Sequence, residues 1–428
     1  MSGEAPVERA AASAPAPRRA LQLFKEWFWR PPRPHGDTIV DRRVSPLELL
    51  YDLVYAAVIA QAGRHFAGHV SGSGLFEFVD TFSLTWIAWI NGSLYLELHG
   101  RLDGRTRTTV FVQIGILAIL AAFAADVEGG NGLWFAIAYA VFLVVMTWLW
   151  YGVRRQDAIL RPEFLPGTGR YVLALTASVA LILASAFLPD QARLVAWAFF
   201  TVAWIVLLVL FGRSRVGLSG GMTPTDSLVE RFGTFTIVVL GEVVFGVVAG
   251  LAQSPHNLAT IATGMIALVI GFGLWWIYFD VVGGRLPRND GRALAGWILS
   301  HYPITLSIAA AGAGMVSLLE HADNGRAPQP TSWLLAAALA VGMLALIPAS
   351  HALADYTRLA AAYRPLYVAI AVGAVMSALI GWAQPPPWVL ALFLVLVLSL
   401  TWAVAARGFL LTGAWDSEAE AFPHAPGR

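Results

Sequence analysis

About twelve apolar runs, each long enough to cross a bilayer once, constrain the fold of this chain most strongly. They lie near 46–67, 75–98, 108–126, 132–152, 170–188, 192–212, 226–251, 257–282, 296–319, 331–352, 362–383 and 387–407. A hydrocarbon core needs about 20 apolar residues in a helix, because backbone polar groups find no water there. The chain is 57% hydrophobic and only 13% charged. These features predict an all-α integral membrane protein in the lipid bilayer, with about twelve transmembrane helices.

The apolar runs divide the chain into five segments. Residues 1–45 form a basic tail rich in Pro and Ala, and its first part, to Pro34, is expected to be disordered. Within it, Leu21–Arg30 is either a short interfacial helix or part of the disordered tail. Residues 46–212 and 226–407 each hold six spans, 213–225 links them in the cytoplasm, and 408–428 is a cytoplasmic tail. We expect no cleavable signal peptide, because a long basic tail rich in Pro precedes the first apolar run.

The arginines are unevenly distributed among the connections between the runs. The N-terminal tail and the even-numbered connections are rich in arginine, whereas only Arg193 and Arg326 lie in odd-numbered connections. Arg64 and Arg231 fall within spans. Cytoplasmic loops carry the excess of Lys and Arg. The pattern predicts that both termini are cytoplasmic.

Short motifs recur in the two halves. WIAWIN (Trp86–Asn91) in span 2 matches WWIYFD (Trp275–Asp280) in span 8, and Asp-Gly-Arg follows each, at Asp103 and Asp290. Because each half holds an even number of spans, the halves would have the same orientation. We therefore predict two parallel six-helix repeats.

Span 7 carries three charges in an apolar run, LVERFGTFTIVVLGEVV (Leu228–Val244). A charge near the bilayer centre costs about 2.5–3.5 kcal/mol and normally faces protein or a water-filled cavity. Helical geometry places Arg231 and Glu242 on one face, about 16 Å apart, with Glu230 turned away. In the aligned span 1, the neutral Gln61 stands opposite Glu242. Glu242 is either a coupling acid or a protonated side chain that only bonds helices together.

Span 1 begins with a second pair of acids. Ser45 is a candidate N-cap, and Glu48 three residues later would complete a capping box. Asp52 shares a helix face with Glu48. Either Glu48 caps the helix while Asp52 pairs with an arginine such as Arg231, or the two acids bind a proton or cation. Arg231 could also neutralise Glu230 or Asp280, or bind an anionic substrate.

Other polar residues lie in the inner halves of the spans. Asn91 and Asp280 have Trp and Tyr neighbours that could be an interfacial aromatic belt, although Trp276 shares a face with Asp280 and would suit a cavity wall. His301 and His351 lie at the cytoplasmic ends of spans 9 and 10. They are either a proton relay or two separate interfacial histidines.

Further patterns concern metals, cofactors and packing. No HExxH motif or phosphate-binding loop is present, and there are no cysteines, so we predict no metal, no cofactor, no nucleic-acid partner and no enzyme activity. Glu77 and Asp80, near the outer end of span 2, are expected to be hydrated. Pairs of small residues suit close helix contacts, within the chain or in a homo-oligomer; these are Gly246 and Gly250, and Gly312 and Gly314.

Two long motifs identify a family. PLELLYDLVYAAVIAQ (Pro46–Gln61) resembles the Glu-Leu-Phe-Phe-Asp-Leu-Val-Phe opening of bacterial low temperature requirement protein A, and Leu228–Val244 resembles its second motif. WWIYFD also fits, whereas Tyr51, Tyr55 and Thr234 depart from the pattern. The positions that match are Glu48, Asp52, Glu230, Arg231, Gly241, Glu242 and Asp280. The resemblance implies the inner membrane of a bacterium, and the family name records growth in the cold rather than a reaction.

Function is therefore predicted from the charges. The leading prediction is a proton- or ion-coupled secondary transporter of an unknown small solute or ion, with Glu242 as the coupling acid. The alternatives are a membrane stress-adaptation or regulatory factor without transport and an intramembrane enzyme acting on lipid. A transporter predicts a water-filled cavity that reaches Glu242, a structural protein predicts Glu242 enclosed and paired, and a lipid enzyme predicts a lateral opening beside His301 or His351.

Overall fold

The computed structural model describes residues 20–21, 23–24, 27–37, 42–101, 103–213 and 223–413. Twelve long helices account for most of these residues. Their bounds are α1 Pro46–Gly68, α2 Gly72–His99, α3 Gly104–Ala122, α4 Gly132–Leu160, α5 Leu165–Ser185, α6 Asp190–Arg213, α7 Asp226–Gln253, α8 Leu258–Val281, α9 Gly291–Glu320, α10 Gln329–His351, α11 Ala360–Ala383 and α12 Pro387–Leu411. The predicted all-helical class is confirmed for the described chain.

Contacts between connections define two ends of the bundle. At one end the α8–α9 connection meets the end of α10, where Arg288 N donates to Ala352 O at 2.8 Å. At the other end Asn257 donates to Asp323 Oδ2 at 2.6 Å, joining the α7–α8 and α9–α10 connections. We call the first end, where α1 and the other odd-numbered helices begin, the basic end, and the second the opposite end.

Ten of the twelve described helices, α3 to α12, are long and apolar enough to cross a membrane. The two others, α1 and α2, have 23 and 28 residues, so length is not what sets them apart. They carry acids instead, and most of α2 is buried inside the protein, including Glu77, Asp80 and Glu97. A helix that contacts protein rather than lipid can hold such side chains. Membrane crossing by α1 and α2 stays a prediction.

Every pair of helices that packs together in the first half has a counterpart in the second half, which has two further pairs, α8 with α9 and α10 with α12. In the first half α1 contacts α2 and α3, α4 contacts α3 and α5, and α2 contacts α6. In the second half α7 contacts α8 and α9, α10 contacts α9 and α11, and α8 contacts α12. The halves meet where α1 packs on α7 and where α9 packs on α1 and α6. The long, mostly buried α9 therefore lies between the halves.

Several helices begin before their apolar runs, at residues that cap them. Asp103 Oδ1 accepts from Thr106 N at 2.8 Å, and Asp290 Oδ1 accepts from Ala293 N at 2.8 Å. Side-chain caps satisfy amide groups that lack a partner in the first turn. The predicted starts of spans 3 and 9, at 108 and 296, are therefore several residues too late. The repeated Asp-Gly-Arg motif begins the helix in both halves.

The segment before α1 is ordered against the basic end where the structure describes it. Arg33 is only 4% exposed, and its guanidinium donates to Gly100 O at 2.8 Å and to Glu97 O at 2.6 Å. His35 contacts Asp157 Oδ2 at 2.8 Å. Burial lowers the pKa of Arg33 below its usual value. The prediction of disorder up to Pro34 is wrong for residues 27–34, and the rest of that stretch lies largely outside the described residues.

Candidate functional site

Arg231 lies at the centre of a buried ionic cluster between α1 and α7. Its side chain is 0% exposed and donates to Glu48 Oε2 at 2.9 Å and to Asp52 Oδ1 at 3.3 Å. Glu48 and Asp52 share one face of α1, one helical turn apart, as their spacing predicted. The ion pair predicted between Arg231 and Asp52 is therefore present. It joins the first helix of one half to the first helix of the other.

The cluster continues into α2 through Arg42, which precedes α1. Arg42 donates to Glu48 Oε1 at 2.8 Å, and its other nitrogen pairs with Glu97 near the end of α2. Glu97 also accepts from Thr225 at 2.7 Å and from Ser227 at 2.8 Å, at the start of α7. We call Arg42, Glu48, Asp52, Glu97 and Arg231 the ionic network.

The network is held on its inner side by aromatic residues. Trp89 Nε1 on α2 donates to Asp52 Oδ1 at 2.9 Å. Tyr51 lies with its ring centroid 6.0 Å from the Arg231 guanidinium carbon and accepts a hydrogen bond of 2.8 Å from Tyr55. Within the described chain, Asp52 Oδ2 and Arg231 Nε are buried without a hydrogen-bond partner. The central ion pair is therefore only partly satisfied by hydrogen bonds.

The five side chains of the network do not have balanced formal charges by themselves. Arg42 and Arg231 contribute two positive charges, and Glu48, Asp52 and Glu97 contribute three negative charges when all are ionised. The buried Arg33, which donates to Glu97 O, adds a third positive charge beside the network. The acids are nearly inaccessible to water, with exposures of 6%, 0% and 8%. Buried charges are costly unless they are paired. A proton taken up by one of these acids would therefore change the net charge of the buried cluster by one.

Ser45 caps α1 as predicted. The Glu48 side chain, however, does not complete the capping box by accepting from the backbone amide of Ser45. Ser45 Oγ accepts from Glu48 N at 3.3 Å. The Glu48 carboxylate turns to Ser45 Oγ, Arg42 and Arg231. Two guanidinium groups attract a carboxylate more strongly than one backbone amide does. The same residue thus begins the helix and belongs to the network.

Glu242 lies apart from the network, farther along the same face of α7. It is half-buried and lines a crevice of about 40 Å³ between α1, α7 and α9. The α1 wall contains Ile59, Ala60, Gly63 and Arg64. Both Arg231 and Glu242 therefore face α1, as their spacing predicted. The crevice has room for water but not for an ordinary solute, because a single water needs about 10–15 Å³ and ligand pockets span about 300–1,000 Å³.

Small residues bring α7 and α9 into close contact beside Glu242. A Cβ atom added to Gly312 on α9 would lie 2.8 Å from the carbonyl oxygen of Glu242, and one added to Gly246 would collide with Gly312 O. A Cβ atom on Gly314 would lie 2.7 Å from the side chain of Leu335 on α10. The glycine faces predicted to allow close packing are therefore used within the chain, which removes Gly312 and Gly314 as surfaces for a homo-oligomer.

Two further predicted residues lie near these groups without joining them. Glu230 is exposed on the other side of α7, where it accepts from Val44 N at 3.3 Å, and it does not pair with Arg231. Gln61 is half-buried on α1. Neither residue contributes to the ionic network. Their predicted roles in binding remain untested.

Asn91 and Asp280 occupy matching places in α2 and α8 but have different partners. The amide of Asn91 donates to Ile87 O at 2.8 Å and accepts from the Tyr171 hydroxyl on α5. Asp280 accepts from Trp402 Nε1 on α12 at 2.8 Å. The Trp276 ring lies 4.6 Å from the Trp402 ring. Asp280 therefore does not neutralise Arg231, and Trp276 packs against another tryptophan.

The two histidines lie in separate surroundings. His301 is buried, with Nε2 3.0 Å from the Tyr278 hydroxyl and its ring 4.8 Å from the Phe232 ring. His351 is exposed at the end of α10, and its ring lies 4.5 Å from the Tyr356 ring. These separate partners give no support to the proposed relay. The alternative of two unconnected histidines fits the described contacts.

The sequence reasoning missed Arg42, Glu97 and Trp89. A signal for Glu97 was available, since it interrupts the apolar stretch of GSLYLELHG as Glu242 interrupts its own. Arg42 looks like one more basic residue of the tail. Trp89 looks like part of an interfacial belt. Only the tertiary arrangement shows that Arg42 meets Glu48 and Glu97, and that Trp89 meets Asp52.

No curated protein and no solved structure gave a significant match to this chain. The sequence model of one family, described as bacterial low temperature requirement A protein, matches residues 43–404. This range contains α1 through most of α12 and every member of the network except Arg42. The chain therefore belongs to the bacterial low temperature requirement A protein family.

Proposed function

We propose that this protein is a proton- or cation-coupled secondary transporter of a small solute. The observation that carries the proposal is the ionic network, in which three buried acids meet arginines and which bridges the two halves. Taking up a proton or cation at Asp52 would offset its negative charge and weaken the attraction between Asp52 and Arg231. Intramembrane charges of this kind typically mark ion pathways. Uptake at the network would thereby be linked to movement of α1 against α7.

Glu242 is proposed as the acid that exchanges the coupling ion at mid-depth. It contacts a crevice rather than a strong partner, and the exposed Arg64 is the cation that acts on it electrostatically. The crevice is too small for a solute, so the structure corresponds to a closed state in this proposal. Gly63 on α1 leaves open space at the crevice, whereas Gly246 and Gly312 hold α7 and α9 in close contact, so α1 is the helix that would shift. An open state would widen this crevice.

We also propose that the two halves are parallel repeats and that the basic end is cytoplasmic. The shared helix neighbours and the Asp-Gly-Arg caps in both halves support the repeat. The excess of arginines in the connections at the basic end supports the orientation in a bacterial inner membrane, with both termini inside. Because the chain has no cysteines, Glu163→Cys and Asn324→Cys would each report one end by labelling with a membrane-impermeant maleimide.

A regulatory or stress-adaptation protein without transport is the second candidate. The small volume beside Glu242 and the pairing of Arg231 favour it, since both suit a rigid assembly. We rank a lipid-acting enzyme below both and propose no enzyme activity. His301 is buried against Phe232 and Tyr278 rather than at a lateral opening, which gives that alternative no support.

The test is proton flux in proteoliposomes under an imposed pH gradient, with a panel of small solutes. For the wild-type protein we expect solute-dependent proton movement. Glu242→Gln should abolish it, and Asp52→Asn should reduce it at least tenfold, because each removes an ionisable group. Glu320→Gln is the matched control, since this glutamate is exposed at the end of α9 and should leave flux unchanged.

Three results would separate the candidates. Loss of flux in Glu242→Gln, with the control active and both proteins folded, supports coupled transport through this acid. Equal flux in wild type and Glu242→Gln refutes the role of Glu242. Flux equal to that of empty liposomes across the panel favours the regulatory candidate.

A further inference from the structure

A second cluster of chemically active side chains lies at the opposite end of the bundle, away from the network and Glu242. His65 on α1, Glu77 on α2 and Asp126 in the α3–α4 connection place one potential ligand atom each within 4.8 Å of one another. They line a cavity of about 500 Å³. Its wall also includes His69 and Asp190. The cavity is more than ten times larger than the crevice at Glu242.

Glu77 is the fixed member of the cluster. Glu77 and its neighbour Asp80 were both predicted to be hydrated, yet Glu77 is only 6% exposed and Asp80 only 3% exposed. Glu77 Oε1 accepts from Glu128 N at 3.1 Å, which directs Oε2 toward His65. A buried carboxylate held by a backbone amide on one oxygen leaves the other oxygen available as a ligand.

The distance between two of the ligand atoms matches a shared metal ion. His65 Nε2 and Glu77 Oε2 are 3.5 Å apart, which is too long for a good hydrogen bond. Two ligand atoms that each lie about 2.1 Å from a tetrahedral ion are about 3.4 Å from each other. Asp126 is exposed, so a small movement of its carboxylate would bring it to the same ion.

We propose that His65, Glu77 and Asp126 bind a divalent transition-metal ion, with Zn²⁺ as the best match. One imidazole and two carboxylates suit Zn²⁺, whereas Ca²⁺ and Mg²⁺ prefer oxygen ligands alone. The cavity leaves the remaining position open to water. The three ligands come from three elements, so no single stretch of sequence contains them all, and the sequence alone led to the prediction of no metal.

Metal binding here would tie together the helices α1 and α2 and the α3–α4 connection. These elements belong to the first half, and α1 also carries Glu48 and Asp52 at its other end. The proposal is independent of transport, because it requires only that the three side chains bind a metal. The alternative is a protonated His65 that pairs with Glu77 without any metal.

The test measures metal binding by the full-length protein, purified without a histidine tag, stripped with chelator and placed in nanodiscs. Isothermal titration with ZnCl₂ and metal analysis after gel filtration should give about one Zn²⁺ per chain. His65→Gln and Asp126→Asn should each weaken binding at least about tenfold. CaCl₂ and MgCl₂ should bind more weakly than ZnCl₂.

His256→Gln is the control, because this histidine is exposed in the α7–α8 connection at the same end. It should leave Zn²⁺ affinity unchanged. Asp126→Asn keeps the test valid if His65→Gln does not fold, since Asp126 is exposed. The proposal is overturned if no stoichiometric Zn²⁺ binds, if both ligand variants bind as the wild type does, or if Ca²⁺ binds more tightly than Zn²⁺.

Discussion

Replacing Arg231 tests the ionic network most directly. Arg231→Gln removes the cation between Glu48 and Asp52 while keeping a polar side chain of similar length. Removing one partner of a buried ion pair typically costs about 3–5 kcal/mol, because it leaves an uncompensated buried charge. Arg231 and Asp52 are both 0% exposed, so we expect Arg231→Gln to lower the free energy of unfolding by this amount.

The two acids do not lose the same amount. Glu48 keeps its contact of 2.8 Å with Arg42, so it remains paired with a cation. Asp52 keeps only the neutral donor Trp89 at 2.9 Å. Most of the loss should therefore come from Asp52. Asp52→Asn removes that charge, and by itself it should cost only about 1–3 kcal/mol, as expected for a lost hydrogen bond to a charged group.

A double-mutant cycle measures this coupling. Unfolding in mixed micelles by increasing denaturing detergent gives the free energy for wild type, Arg231→Gln, Asp52→Asn and the double variant. We expect the double variant to be less destabilised than the sum of the single variants by about 1–3 kcal/mol. Arg407→Gln, at an exposed arginine on α12, should change stability by at most about 0.5 kcal/mol. Additive effects, or an Arg231→Gln loss as small as that of the control, would refute the reasoning.

Two other changes test contacts that position the site. Gly312→Ala puts a Cβ atom 2.8 Å from the carbonyl oxygen of Glu242 and should destabilise the protein by about 1–3 kcal/mol. Gly296→Ala, in open space on the same helix, should stabilise it by about 0.4–1 kcal/mol. Thermal unfolding that ranks the two variants in the opposite order would contradict the tight contact between α7 and α9. Asp157→Asn removes the buried charge that His35 contacts, so trypsin should cleave the segment before α1 faster. An unchanged cleavage rate would show that this contact does not hold the segment.

The fold class was predictable because it depends on local sequence. Apolar runs of bilayer length require helices whatever their neighbours, and the twelve runs correspond to the twelve described helices. The helix ends were less predictable. Asp103 and Asp290 cap helices from polar positions outside the apolar runs, so hydropathy alone predicted starts for those helices that are several residues too late.

The candidate site was predictable only where one helix face determined it. Arg231 and Glu242 share a face of α7 by spacing, and both do lie against α1. Glu97 could not be paired in advance, because its partner Arg42 precedes another helix and reaches it through the tertiary fold. The proposed metal site was even less predictable, because its three ligands come from three separate elements.

The placement of charges along α7 links the two parts of the proposed mechanism. Arg231 contacts α1 near the basic end, and Glu242 contacts the same helix farther toward the opposite end. The two helices are parallel neighbours, so a shift of α1 along α7 would change both contacts at once. Gly63 leaves space on α1 for that shift at the crevice, whereas the ion pairs resist it at the basic end. Neutralising an acid of the network would remove part of that resistance, and this is how ion uptake at one end would alter access to Glu242.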